Sequence, residues 1–428
     1  MSVEPAVGQP GEPEGEPGTA AARFDRWQRA GGWVAPVLTA ILAFLAAGLV
    51  VLATGNNPVE VYKGIWTGTG LEWFYQVGSH QVGLPFTDAT VWFPWNVQDF
   101  DPNTGLETAA TNLQQTLILW TTLVLTGLAV AFAFRCGLFN IGGQGQYFVG
   151  AYFAIWIGSS FSELNSFVHV AFAIVAAALA GAAWAGIAGI LKATVGAHEV
   201  ITTIMLNWIA YYVGLYLFGQ GGPLQNTEQA FSPTSNTVVE GAKLPVFWGD
   251  PVLQGLHVGL FIAFAALVAF WVIISRTTLG YEVRAVGFNP EAARYGGISV
   301  ARNYFLAMAI SGVFAGLAGA VDMLGWRYSI GFSDIQSSAI GFTGIAVALL
   351  GRNRAFGVGV SALVFAALLN GTASRNIPPE AFDIPEQAGN LSLTIQALVL
   401  LFIGADIVIL WLWSKSGKVI GVGRSSPL

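Results

Sequence analysis

Ten runs of mainly apolar residues divide this chain, at 34–54, 112–134, 147–160, 167–191, 200–218, 256–275, 303–324, 339–350, 356–370 and 391–413. Nothing else constrains the fold as tightly. A run of about 20 such residues is long enough to cross a bilayer as a helix. In lipid each backbone N–H and C=O must be satisfied within the protein, so spanning runs of this kind are helices. The composition agrees, at 54% hydrophobic and only 10% charged, with 53 glycines and 15 tryptophans. The expected fold class is an all-α polytopic membrane protein of about ten transmembrane helices. The net charge of −6 comes with no basic face, so no nucleic-acid partner is expected. Cys136 is the single cysteine, which excludes an internal disulfide and a thiolate metal cluster. His80, His169, His198 and His257 form no ligand pair at helical spacing, and Gly417-Lys418 is followed by Val419 rather than Ser or Thr. The chain is expected to need no cofactor or metal, to bind no ATP by a Walker-type loop, and not to be an enzyme.

Charge sets the orientation. Residues 1–22 are rich in Pro, Gly, Glu and Ala and read as a disordered cytoplasmic tail. Arg23, Arg26 and Arg29 then precede the first span, within 23–54. Alternating the ten spans puts 14 of the 18 basic residues on the N-terminal side and leaves Lys63, Lys243, Arg327 and Arg375 on the other. Cytoplasmic loops carry such an excess, so a multi-pass protein of the cell membrane is expected with both ends, including a tail at 414–428, in the cytoplasm. Residues 55–111 form an external insert with Lys63 as its only basic residue and aromatics including Trp66, Trp73, Tyr75, Trp92 and Trp95. These read first as anchors at the headgroup level and second as a platform for an external partner.

Within the core at 112–413, the polar loop 276–298 (RTTLGYEVRAVGFNPEAARYGGI) spells a short helix in its second half. Asn289 suits the N-cap, Pro290 the first position, Glu291 the positive end, and Gly296 and Gly297 the left-handed stop. So short a helix is not stable alone. It is either a tight connector or a docking element for a cytoplasmic partner. Small residues recur every fourth position at Gly181, Ala185, Gly189 and at Gly312, Gly316, Ala320, as close helix packing in lipid requires. Two Gly-rich polar stretches, GLFNIGGQGQYFVGA (137–151) and SIGFSDIQSSAIGFTGIA (329–346), interrupt the helical pattern. One follows a span ending inside and the other a span ending outside, so the halves read as inverted repeats around a central pathway. Phe139, Asn140, Gln144, Gln146, Asn207 and Thr343 are the candidate pathway residues. Singly each polar one reads as a helix–helix hydrogen bonder; as a set they favour a pathway. Asp406 is read as the lone carboxylate within a span, and one acid near a span end is thin support for a proton relay.

Three stretches carry a family resemblance: GLFNIGGQGQ, GAHEVITTIMLNWIAYY (196–212) and RAVGFNPEAARYGGI (284–298). They resemble the inner-membrane permeases of ABC importers, in the branch serving nucleosides, related to the simple-sugar and branched-chain amino-acid permeases. GFTGIAVALLGRNRAFG (341–357) and IQALVLLF (395–402) are similar too, so the resemblance covers about 112–402. It implies a type II ABC importer-like permease that performs no chemistry. The implied partners are a separate ATP-binding subunit, a second permease making a heterodimer, an external substrate-binding lipoprotein, and a small-molecule substrate. It also implies that 276–298 is the coupling loop, with Arg284, Asn289, Pro290, Glu291, Ala292 and Arg294 contacting the ATPase. The insert at 55–111 and Asp406 are not part of the family pattern. The alternatives are a permease for simple sugars or other small solutes, or an ion-coupled secondary transporter, which would need midplane carboxylates.

Overall fold

The computed structural model describes residues 34–53, 57–75, 77–83, 90–95, 109–228, 233–249 and 255–373, with single positions at 55 and between 390 and 401. The described residues are mostly helical. A first helix α1 (Val34–Ala53) is followed by α2 (Pro58–Thr69) and a two-stranded antiparallel hairpin, β1 (Val77–Gly83) with β2 (Thr90–Trp95). The bundle proper is α3 (Ala109–Arg135), α4 (Gly143–Gly158), α5 (Ser166–Val195) and α6 (Glu199–Phe218). A short ribbon, β3 (Val246–Trp248) with β4 (Leu256–His257), leads into α7 (Gly259–Arg276), α8 (Thr278–Phe288) and α9 (Pro290–Tyr295). The bundle closes with α10 (Val300–Asp322), α11 (Phe332–Ser337), α12 (Ile340–Leu350) and α13 (Ala355–Gly371). Among the described residues, six helical stretches are long and apolar enough to cross a membrane, at 109–135, 166–195, 199–218, 259–276, 300–327 and 332–350. The span expected at 391–413 and Asp406 lie largely or wholly outside the described residues.

α3 is the axis of the fold. It carries no charge before Arg135 and is buried along almost its whole length, as a helix must be when neighbours surround it. α10 crosses it and packs against α5 and α4 through the two small-residue ridges. A Cβ added at Gly312 would stand 2.2 Å from the Gly181 carbonyl oxygen, and one at Gly316 would stand 2.3 Å from that of Ala177. Gly150 of α4 meets Gly316 as closely, with its Cβ position 2.5 Å from the Gly316 Cα. Lipid gives no hydrophobic drive for helix association, so this backbone-to-backbone approach supplies the dispersion contact.

The described part of the insert packs against the core. Trp73 is buried with Ala109, Ala110 and Leu113, stacks on Trp95 at 5.4 Å and lies 5.1 Å from Trp248. Asn370 of α13 donates to the Gly68 carbonyl at 3.0 Å and to the Asn112 carbonyl at 2.8 Å, tying α2, α3 and α13 together. Trp73 is therefore a packing residue, while Trp66, Phe74, Tyr75 and Trp92 remain exposed.

Candidate functional site

The two interrupted stretches meet. Both are more helical than their glycines suggest: only 137–142 of the first lacks helix, and the second is broken at 328–331 and 338–339. Glycine is tolerated in α4 and α12 because each of those helices needs close neighbours. Gly341, in the first turn of α12, lies so near the first turn of α4 that its added Cβ would be 2.4 Å from the Gln144 Cα. Gln144 then joins the two turns. Its Oε1 accepts from the Gly341 N–H at 2.7 Å, and its Nε2 donates to the Ser338 carbonyl at 3.1 Å. Asn140 and Gln146 form a reciprocal amide pair at 3.0 Å each way, and Asn140 also donates to Ser311 of α10 at 2.7 Å. Asn207 accepts from the Gly145 N–H at 2.8 Å and donates to the Ile141 carbonyl at 3.0 Å. All four amides are buried. Their polar groups are engaged within the chain, where they hold the shape of the break. Phe139 and Thr343 are half-exposed, with Phe139 edge-on to Phe134 and the Thr343 hydroxyl donating to the Ala339 carbonyl.

The polar loop folds as two helices joined at Asn289. Thr277 caps α8 by accepting from the Gly280 N–H at 3.1 Å. Asn289 caps α9, its Oδ1 accepting from Glu291 and Ala292 N–H at 3.0 and 3.1 Å, with Pro290 in the first turn. The left-handed stop is Gly297 alone (φ 80°), because Gly296 keeps φ −75°. Val283, Val286 and Ala293 face the bundle, whereas Arg284, Asn289, Glu291, Ala292 and Arg294 are exposed. Glu291 and Arg294 pair with each other at 3.4 Å, a contact worth little at a wet surface. Flanking α9, Phe288 and Tyr295 are 95% and 94% exposed. At its base α8 rests on the bundle through Gly287, whose added Cβ would stand 2.3 Å from the Arg135 carbonyl oxygen and 2.9 Å from the Gly137 nitrogen. Gly137 opens the first break.

A buried ionic cluster lies at the opposite end of α10. Asp322 is 0% exposed and sits in the span expected at 303–324, which corrects the reading of Asp406 as the lone intramembrane acid. Its carboxylate accepts from the Tyr147 hydroxyl, the Trp326 indole N–H and Arg327 Nε, the last at 3.0 Å. Arg327 Nη1 reaches Asp334 of α11 at 3.0 Å. The π-helical turn 323–327 makes this possible, because it turns Arg327 back onto the acid five residues earlier. Two of the basic residues expected outside are thus explained by partners: Arg327 by Asp322 and Asp334, and Lys243 by Glu240.

His257 of β4 packs against Gly325 in this turn. Its Nδ1 accepts from the Gly259 N–H at 3.1 Å, which places the ring proton on Nε2.

The comparisons with known proteins agree with this architecture. Residues 112–404 match the family described as branched-chain amino acid transport system, permease component. The chain belongs to this permease family. Over 391 residues it is 34% identical to the guanosine ABC transporter permease protein NupP of Bacillus subtilis, covering 90% of this chain and 96% of that one. It is 31% identical over 383 residues to the nucleoside ABC transporter permease protein NupB of Lactococcus lactis, covering 87% and 91%. It is 33% identical over 383 residues to the glucose ABC transporter permease protein TsgB13 of Haloferax volcanii, covering 87% of each. The second permease proteins NupQ and NupC of the first two bacteria match more distantly, at 26% and 25% identity.

Two features of the permease escape sequence reasoning. Phe288 and Tyr295 are missed, although aromatics in a polar loop away from any headgroup belt signal a contact surface. Asp322 lies in an apolar run, and its partner is spaced for a π-turn, so no helical i, i+4 rule reveals the pair.

Proposed function

We propose that the permease forms the membrane pathway of an ATP-driven importer for nucleosides. The observation that carries this reading is near full-length likeness to two relatives named for guanosine and nucleosides. In this reading ten spans place both termini in the cytoplasm, and the two halves are inverted repeats whose interrupted stretches meet at Gln144 and Gly341. A second permease, different from this chain, completes the pathway; the existence of paired relatives supports a heterodimer. An external substrate-binding lipoprotein delivers the solute. Phe139 and Thr343 line the pathway, and Asn140, Gln144, Gln146 and Asn207 keep its wall in shape.

The ATP-binding subunit docks on α8 and α9. Phe288 and Tyr295 are its aromatic anchors, of the kind that dominate interface energetics. Between them Asn289, Pro290, Glu291, Ala292 and Arg294 form the contact, with Arg284 adding charge. Ala292 is exposed and small enough for close approach, while Ala293 faces the bundle. Changes at the ATPase reach the break through Gly287 and Gly137, which touch backbone to backbone. A shift between outward- and inward-facing states needs such an element, one whose interaction with the partner differs between the two states.

The test is uptake of labelled nucleosides by cells lacking the permease, by cells with it restored, and by cells carrying Ala292→Arg. Uptake should be lost, regained and lost again, with the variant reduced at least about tenfold, since a buried, unpaired charge at an interface is costly. Its amount in the membrane should be unchanged. Normal uptake by the variant would remove α9 from the coupling contact. The glucose relative favours a second reading, a sugar importer of the same architecture, and hexose uptake in place of nucleoside uptake would select it. An ion-coupled carrier has less support, because the buried acid Asp322 is already neutralised by Arg327.

A further inference from the structure

We infer that the exposed face of α6 binds the base of the transported nucleoside, an inference that rests on the nucleoside reading above. Met205, Trp208, Ile209, Tyr212, Val213 and Tyr216 line a shallow groove of about 460 Å³ along this helix. No charged group lines it, which suits an uncharged nucleoside and not a nucleotide.

Depth makes this face unlike a lipid-facing one. α6 has 20 residues, so it spans about 30 Å, the thickness of the hydrocarbon core. Trp208 and Tyr212 stand about 14 and 20 Å from its start, on either side of the middle. Trp and Tyr facing lipid favour the headgroup level, where their polar tips meet water. Among the described residues, the Trp208 indole N–H and the Tyr212 and Tyr216 hydroxyls have no hydrogen-bond partner. Lipid tails offer none. By contrast, the exposed large residues of α5 are Val, Leu, Ile and Phe. On α7 the exposed tryptophan is Trp271, near the helix end with the Arg276 guanidinium over its ring.

The rings are arranged for stacking. Trp208 and Tyr212 lie 6.3 Å apart at 29°, and Tyr211 meets both edge-on. Together they present a continuous π surface, with donors beside it for the edge of a base or a ribose hydroxyl. The back of the same helix is fixed to the break by Asn207, one residue before Trp208. A displacement of the break therefore moves the aromatic face with it.

The test uses the complete transporter, with its second permease, ATPase and binding protein, in proteoliposomes. ATP-driven uptake of a purine nucleoside at low concentration is compared between wild type, a Trp208→Leu/Tyr212→Leu pair and a Trp208→Phe/Tyr212→Phe pair. Base stacking on an aromatic ring is strong enough that the leucine pair should lose at least about tenfold in uptake, and the phenylalanine pair no more than about twofold. All forms should keep their second permease on purification. Nucleoside uptake that withstands the leucine pair overturns the inference and leaves the nucleoside reading intact. Loss of the second permease from the leucine pair also overturns it, because the face is then a subunit contact. Wild-type transport of a hexose and no nucleoside overturns both.

Discussion

Arg327→Ala is expected to destabilise the protein by about 3–5 kcal/mol, because it leaves the buried Asp322 carboxylate without its counter-ion. Tyr147, Trp326 and Thr122 still donate to the carboxylate, yet none of them carries a charge. The measurement is the melting temperature of the purified protein in detergent, together with the fraction that stays monodisperse. Asp322→Asn should also destabilise, by stranding the guanidinium between one acid and an amide. Combining Asp322→Asn with Arg327→Gln removes both charges and should recover more than half of the loss from Arg327→Ala. Neighbouring residues of one network are coupled in this way. A double variant whose loss is the sum of the losses from Asp322→Asn and Arg327→Gln alone would show that the pair is not an energetic unit.

Gly316→Val is expected to prevent accumulation of folded protein. Overpacking a core costs about 1–3 kcal/mol when side chains can yield. Here the new Cβ would meet the Ala177 carbonyl oxygen at 2.3 Å and the Ala178 Cα at 3.1 Å, so backbone would have to move. Gly150 and Gly181 both close on Gly316 from other helices, which leaves no free direction. Gly359→Val is the control. Its Cβ would approach only the Leu267 side chain, at 3.4 Å, and it should accumulate nearly as the wild type does. Membrane-inserted, monodisperse protein at equal levels for the two variants would mean that α4, α5 and α10 can separate without loss of the fold.

How much the residues disclose by themselves depends on how local the physics is. Asn289 is legible as a cap because its side chain serves N–H groups two and three residues on. The ridges at Gly181 and Gly312 are legible because spacing alone puts them on one helix face. That they face each other is not, since no rule of spacing pairs residues so far apart along a bundle. Asn140 shows the limit most clearly. Its polarity in an apolar neighbourhood marks it, but its partner Ser311 lies 171 residues away, so a shape-holding amide and a solute-binding one look alike. The aromatic stripe of α6 reads in sequence as ordinary span residues, and only burial separates Trp208 from Asn207. α8 hides in the first half of the polar loop, although Thr277 supplies its cap by the same chemistry that makes α9 readable.

The contact between Gly287 and the stretch from Arg135 to Gly137 resembles a rigid linkage more than a cushion. Most contacts between helices pass through side chains, which can change rotamer and absorb part of a displacement. Here main chain bears on main chain, and neither glycine has a rotamer to change. A tilt of α8 imposed from below would reach the start of the break with nothing compliant in between. Any side chain placed at 287 would act as a shim in that linkage, altering its rest position before a partner has touched it.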